Sequence, residues 1–141
     1  MSDAKGVLEL YRQFDPNQRV DNETAVELLD ASTRRGVRIF TLTEDVHHAV
    51  APIVVATAMA VLIPNLVGDG RQQMVVENIV VDKYSHGKGY GRRLMEEVEQ
   101  WAREQNCRKI IIVSHHKFNA DGFYHALGYE SDSSSVFIKR L

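Results

Sequence analysis

Apolar positions along the chain switch between helical and extended spacing, and each switch predicts an element. In residues 7–14 (VLELYRQF), Val7, Leu8, Tyr11 and Phe14 recur at helical spacing. Asp15-Pro16-Asn17 ends that helix, because proline disfavours helical backbone in the residue before it. A second helix is expected with Asn22 as N-cap, Glu23 near its start, and Ala25, Val26, Leu28 and Leu29 on the buried side. Gly36 fits its C-terminal stop. Residues 37–43 (VRIFTLT) alternate and are β-branched, so they read as a strand, with a turn over 44–50. Ile53–Ile63 is almost wholly apolar, as a strand covered on both faces would be. Its alanines also allow a helix, but Pro52, Pro64 and the valines favour the strand.

Pro, Asn, two Gly and Asp mark 64–73 as a loop. A strand over 74–81, a helix over 89–105 and a buried strand over 108–114 (RKIIIVS) follow. Asn119 is the expected cap of a short helix ending at Gly128, and 136–139 reads as a last strand. Strands alternating with helices predict an α/β fold. At 141 residues, with no repeat or linker, 1–141 is expected to be a single domain with a real core.

Composition narrows the function classes. A net charge of −2 gives no basis for general nucleic-acid binding. The single cysteine, Cys107, excludes an internal disulfide and a cysteine-built metal site, and is expected to be a packed core thiol. The longest apolar run, Ile53–Ile63, is too short to span a bilayer, so no membrane partner is expected. The opening residues are charged and then helix-patterned, so no signal peptide is expected and the location reads as cytoplasmic.

The chemistry concentrates in residues 74–100, MVVENIVVDKYSHGKGYGRRLMEEVEQ. A β-branched run leads into a turn with Gly87, Gly89 and Gly91, and then into a strongly periodic helix. Such a turn leaves backbone N–H groups free at the positive end of a helix dipole, which suits phosphate or pyrophosphate. Three glycines alternating at a helix mouth are more than a tight turn requires. A Walker A loop fails here, because Gly91 is followed by Arg92-Arg93 rather than Lys-Ser/Thr. A Rossmann fingerprint is weak, since the glycine spacing is wrong and the next strand ends in Ser114-His115-His116 rather than an acid.

The third candidate fits. Val80-Val81-Asp82, a short spacer and then His86-Gly87-Lys88-Gly89-Tyr90-Gly91-Arg92 resemble the acetyl-CoA-binding motif of the GNAT-type N-acetyltransferase superfamily. In that family the pattern is Arg or Gln, two residues, Gly, one residue, then Gly or Ala; His86 departs at the first position. Residues 120–129, ADGFYHALGY, are similar to the family's final helix, with its Phe-Tyr pair and Leu-Gly-aromatic exit. The resemblance runs from about Val37 to the end.

It implies a mixed, mostly antiparallel central sheet flanked by about four helices. The family's first strand is expected to be missing, since the chain starts almost directly in the helix at Val7, which leaves about six main strands. It implies acetyl-CoA as co-substrate, with no metal. Main-chain amides of 87–91 would hold the pyrophosphate, Asn119 would touch the cofactor, and Lys88, Arg92 and Arg93 would add positive charge. Each of these charges, taken alone, is as well explained as a solvated surface residue. The strand is expected to splay at Ile79, Val80 and Val81, whose side chains are core while their backbone bonds pantetheine and polarises the thioester carbonyl.

Glu77 interrupts an apolar strand, where a carboxylate is costly unless paired or facing a wet cleft. It could take the proton an amine must lose before attacking a thioester. The bland alternative is an ion pair with Arg38 or Lys109. By resemblance, Tyr124 is the acid that protonates the departing thiolate; its bland alternative is a half-buried core tyrosine. Gly122 is unhelpful inside a helix, and close approach of the CoA chain would rationalise it. Leu94, Val98, Trp101 and Ala102 are core positions of the long helix, with Trp101 anchoring it on the sheet.

The His47-His48 and His115-His116 pairs do not suggest a metal, since adjacent strand residues point to opposite faces. The second pair stands at a strand end beside the expected cleft, in reach of substrate.

The expected reaction is direct transfer of the acetyl group to a primary amine of a small molecule. The first two helices, the 64–73 loop and the last strands would wall the acceptor, and Asp69 and Glu77 would attract a cationic amine. A polyamine, an amino sugar or a small amine fits. A protein N-terminus or lysine side chain, which is also a cationic amine, is an alternative. A non-catalytic CoA-binding regulatory module is a second class. A homodimer is common in the family, and an exposed final strand would permit one.

Overall fold

A computed structural model describes residues 3–33 and 35–141. The elements run α1 (Asp3–Phe14), α2 (Asn22–Thr33), β1 (Val37–Glu44), β2 (Ile53–Ile63), β3 (Gln73–Val81), α3 (Tyr90–Glu104), β4 (Lys109–Ile112), a 3₁₀ turn (His116–Phe118) and α4 (Asp121–Ala126). One mixed sheet has the order β1-β2-β3-β4. The first two pairings are antiparallel, while β3 and β4 run parallel because α3 carries the chain back between them.

The core divides between the two faces of the sheet, and a register shift at Val55 turns β2 from one face to the other. Val55, Ala56, Ala58 and Ala60 join Leu94, Met95, Val98 and Ala102 of α3 and Phe40 of β1 in one cluster. The three alanines are fully buried, and their small side chains let the bulkier α3 residues sit close to the strand. Val54 of β2 and Val80 of β3 face the other way, against Val7 and Leu10 of α1. Ala4 and Leu8 of α1 continue that layer onto Ala25 of α2. Trp101 packs edge-on to Phe40 at 5.7 Å and anchors α3 as its spacing predicts. Cys107 is partly buried, and burial pushes its thiol pKa up.

Four expectations are corrected. The first helix begins at Asp3, a full turn before the apolar signal, because Ala4 is buried while Gly6 obscures the pattern. A Cβ at Gly6 would collide with the Val54 side chain, so glycine there lets α1 lie against β2. Gly6→Ala is therefore expected to destabilise the protein by about 1–3 kcal/mol, overpacking outweighing the gain in helix propensity. A thermal melt showing equal or higher stability would refute this. The second helix is capped by Asp21, not Asn22: Asp21 Oδ1 accepts the Thr24 N–H at 2.8 Å, and Asn22 is already helical. That hydrogen bond holds the Asp21 carboxyl below its ordinary pKa.

Asn119 does not cap α4; Ala120 does, with no side-chain bond, while Asn119 sits at φ 48. Asparagine tolerates that left-handed backbone, which connects the 3₁₀ turn to α4. Finally, residues 136–139 form no strand, and the described sheet has four strands rather than about six. Val136, Phe137 and Ile138 are exposed by 64%, 92% and 73%. Their β propensity meets no sheet edge, and a strand exists only by pairing. No family-type strand precedes α1 among the described residues.

Candidate functional site

The site is built where β3 stops pairing regularly. Thr57 pairs with Val80 and Met59 with Glu77, so Asn78 and Ile79 together oppose the single residue Ala58. This is a β-bulge, and Asn78 carries it at φ 52, a conformation open to asparagine and closed to the neighbouring β-branched residues. On the other side, parallel pairing to β4 ends at Val76 with Ile112. From Glu77 to Val81 the β4-facing edge of β3 therefore has no strand partner among the described residues. Ile79, Val80 and Val81, where a splay is expected, lie on this stretch, with Val80 buried and the other two half-buried.

Glu77 is exposed at the start of this gap. Among the described residues no hydrogen bond or ion pair engages its carboxylate, so neither Arg38 nor Lys109 is its partner. The Arg38 guanidinium instead lies 4.8 Å from the Phe40 ring centre and 5.5 Å from that of Trp101.

After Val81 the chain enters the glycine turn. Asp82 N–H donates to Val55 C=O at 2.8 Å, continuing the sheet for one more residue. The Asp82 carboxylate accepts the Tyr84 N–H at 3.1 Å and the Gln13 side-chain amide at 2.8 Å. Partial burial alone would push the Asp82 pKa up, but these donors and Ser85 outweigh it and hold the carboxyl low. Gln13 also accepts the Lys83 N–H at 3.0 Å. Gly87 and Gly89 adopt φ 81 and 79, which glycine reaches without strain. The backbone ladder of α3 opens with Arg93 N–H on Gly89 C=O, so the amides just before it are the orphan donors of a helix start.

The side chains of the turn divide into groups. His86 Nε2 lies 3.3 Å from Val81 C=O, folded back over the turn. Lys88 pairs with Glu44 at 3.4 Å, and Tyr90 also hydrogen-bonds Glu44. Those contacts, Tyr90 first, lower the Glu44 pKa. Arg92 reaches Ala126 C=O at 3.5 Å and so links α3 to α4. Gly91 has a packing reason as well: a Cβ there would stand 3.0 Å from Phe123 of α4.

That contact sets α4 beside the mouth of α3. Tyr124 is half-buried, flanked by Phe123 and Tyr129, with the Ser114 side chain hydrogen-bonded to its hydroxyl. Burial raises its pKa and keeps the phenol protonated. Tyr129 donates to Glu99 at 3.1 Å, and burial followed by the Glu99 charge pushes its pKa well up. Gly122 has open space around it, so packing does not demand a glycine there.

Two other expected contributors stand apart. Asp69 is engaged with Arg71 at 2.7 Å within its own loop. His115 packs edge-on to Phe118, which stacks on Phe14 of α1 at 5.0 Å. The His116 side chain lies outside the described residues. Clefts of about 420 and 480 Å³ open around Arg38 and Trp101, but neither is lined by any residue of the strand gap or by Tyr124.

Sequence reasoning missed Asn78, Gln13, Tyr11 and Ser114. Asn78 carried a usable signal, since asparagine is a poor strand former and marks a bulge inside an apolar run. Gln13 and Tyr11 carried none, because their partners lie on strands and turns far away in sequence.

Residues 5–129 match the model of the Acetyltransferase (GNAT) family. N-alpha-acetyltransferase 80 of Mus musculus is 36% identical over 80 residues, which cover 57% of this chain but only 23% of that protein. Glucosamine 6-phosphate N-acetyltransferase of Trypanosoma brucei brucei is 25% identical over 130 residues, 92% of this chain and 84% of that one. A crystal structure of a Trypanosoma brucei acetyltransferase shares the fold at TM-score 0.82 and 23% identity, covering 99% of this chain and 94% of the other. With its sheet, its glycine turn and nearly its whole length matched, the chain belongs to the acetyltransferase (GNAT) family of acetyl-CoA-dependent acyltransferases.

Proposed function

We propose that residues 1–141 act as one domain that transfers the acetyl group of acetyl-CoA to a primary amine of a small molecule by direct attack. The observation that carries this reading is the gap in the sheet. The unpaired edge of Glu77–Val81 leads straight into the orphan amides at the mouth of α3. Backbone donors and acceptors thus run in one line from a pyrophosphate cradle to a point beside an exposed carboxylate.

The residues divide the work. Amides of 87–91 hold the pyrophosphate, with positive charge from Lys88, Arg92 and Arg93 close by. The backbone of 79–81 orients the pantetheine arm, and an N–H there stabilises negative charge developing on the acetyl carbonyl oxygen. Glu77 accepts the proton of the incoming amine, directly or through water. The amine nitrogen then bonds the carbonyl carbon as the C–S bond breaks. Tyr124, kept neutral by burial, donates its proton to the leaving sulfur.

The unpaired, exposed state of Glu77 supports the base role, since a structural ion pair would have occupied it. Glu77→Gln is expected to lower turnover at neutral pH by roughly 10²-fold with acetyl-CoA affinity unchanged. Equal turnover of the two proteins would remove Glu77 from the mechanism.

The T. brucei relative, by its name, acts on glucosamine 6-phosphate, which supports a small amine as acceptor. The N-alpha-acetyltransferase relative supports a protein N-terminus instead, over a shorter match. A thiol-release screen across polyamines, amino sugars and short peptides decides between them. Release with peptides alone would overturn the small-molecule reading. Saturable acetyl-CoA binding without thiol release from any amine would favour the non-catalytic module.

A further inference from the structure

The C-terminal turn of α1 meets the strand that leads into the glycine turn, at both ends of that strand's irregular segment. At the near end, the Tyr11 hydroxyl is in hydrogen-bonding reach of Thr57 and of Asn78, the residue that carries the bulge. Its ring packs against the cluster of Val7, Leu10, Val54 and Val80. At the far end, the Gln13 side chain makes two bonds at once. It accepts the Lys83 N–H at 3.0 Å and donates to Asp82 Oδ1 at 2.8 Å. Segment 79–81 is held on one side by its pairing to β2 through Val80 and Val81. Among the described residues it has no strand partner on its β4 side, so the bonds at residues 78 and 82–83 add to a one-sided ladder. A strand paired on one side only opens more readily than one paired on both, so added anchors at its ends limit that motion.

We propose that α1 is a clamp that positions the acetyl-donor-binding edge of β3, with Gln13 as its principal positioning residue and Tyr11 as the second. Neither residue has to touch the donor. Gln13 lies on an exposed face at the helix end, so its two bonds are not needed to fill the core. Its effect is to fix where the 79–81 amides point and where the turn to Gly87 begins. This rests on the proposed acetyl-CoA site, which the clamp refines.

Gln13→Ala is expected to speed hydrogen exchange of the amides between Asn78 and Lys83 about fivefold, the loss of roughly one hydrogen bond. The acetyl-CoA Kd is expected to rise in the same proportion, with the melting temperature nearly unchanged. Gln13→Glu keeps the acceptor for Lys83 but sets a carboxylate against Asp82, and should weaken binding further. Adding Asp82→Asn restores a donor opposite the new carboxylate, so the double variant should return to within about twofold of the parent. Unchanged exchange in Gln13→Ala, or no recovery in the double variant, would overturn the clamp. If the parent protein binds no acetyl-CoA, the acetyl-donor reading falls while exchange alone still decides the clamp.

Discussion

Tyr124→Phe is expected to lower turnover by on the order of 10²-fold, the usual contribution of a positioned proton donor. Acetyl-CoA affinity should stay within about twofold, because in the proposed mechanism the phenol serves the leaving sulfur rather than the pyrophosphate or the pantetheine arm. The ring remains in the variant, so its packing on Phe123 and Tyr129 is preserved and the fold should be unaffected. The pH profile gives an independent readout. Burial raises the Tyr124 pKa, so the acid form persists through neutral pH and is lost only above the ordinary phenol range. The parent should therefore lose turnover on that alkaline limb, and Tyr124→Phe should lack it. A variant with parental turnover would leave Tyr124 as a core tyrosine held by Ser114, its bland alternative.

Leu94→Ala carries the largest expected effect on stability. Leu94 is fully buried one turn into α3, in the cluster formed with Phe40, Ala58 and Met74. Truncating it removes buried apolar volume from a position that fixed backbone surrounds, at about 3 kcal/mol. For a chain of this size the melting temperature should fall by roughly 6–15 °C. Glu97→Ala, on the exposed face of the same helix, should change stability by less than about 0.5 kcal/mol. Equal melting temperatures for the two variants would show that α3 is not fixed to the sheet through this face. The consequence reaches function, because α3 presents the amides of the glycine turn and its tilt follows from this packing.

Most elements were legible because their signals are local. Ile53–Ile63 reads as a strand from apolar density and flanking prolines, and it is one over those residues. The glycine turn reads as a helix mouth because only glycine reaches φ 81 and 79 without strain at Gly87 and Gly89. Capping was less legible. Asp21 and Asn22 are both good caps by type, and Asp21 takes the role because its carboxylate lies where the Thr24 N–H points. Asn119 has the right chemistry for a cap but sits in a left-handed connection instead. Residues 136–139 have the composition of a strand, yet strand formation depends on a partner edge that composition cannot specify.

The sequence by itself determined the alternation of strands and helices, the glycine turn at Gly87–Gly91 and the residue types available for proton transfer. Those follow from period, φ preference and side-chain chemistry, all properties of a few neighbouring residues. Only the tertiary structure decided that β3 and β4 part after Val76 and Ile112, and that Glu77 stands unpaired at the start of the gap. It alone joined Gln13 to Asp82 and Lys83. These are relations between segments distant in the chain, set by register, by helix packing and by the bulge at Asn78, and no local pattern encodes them.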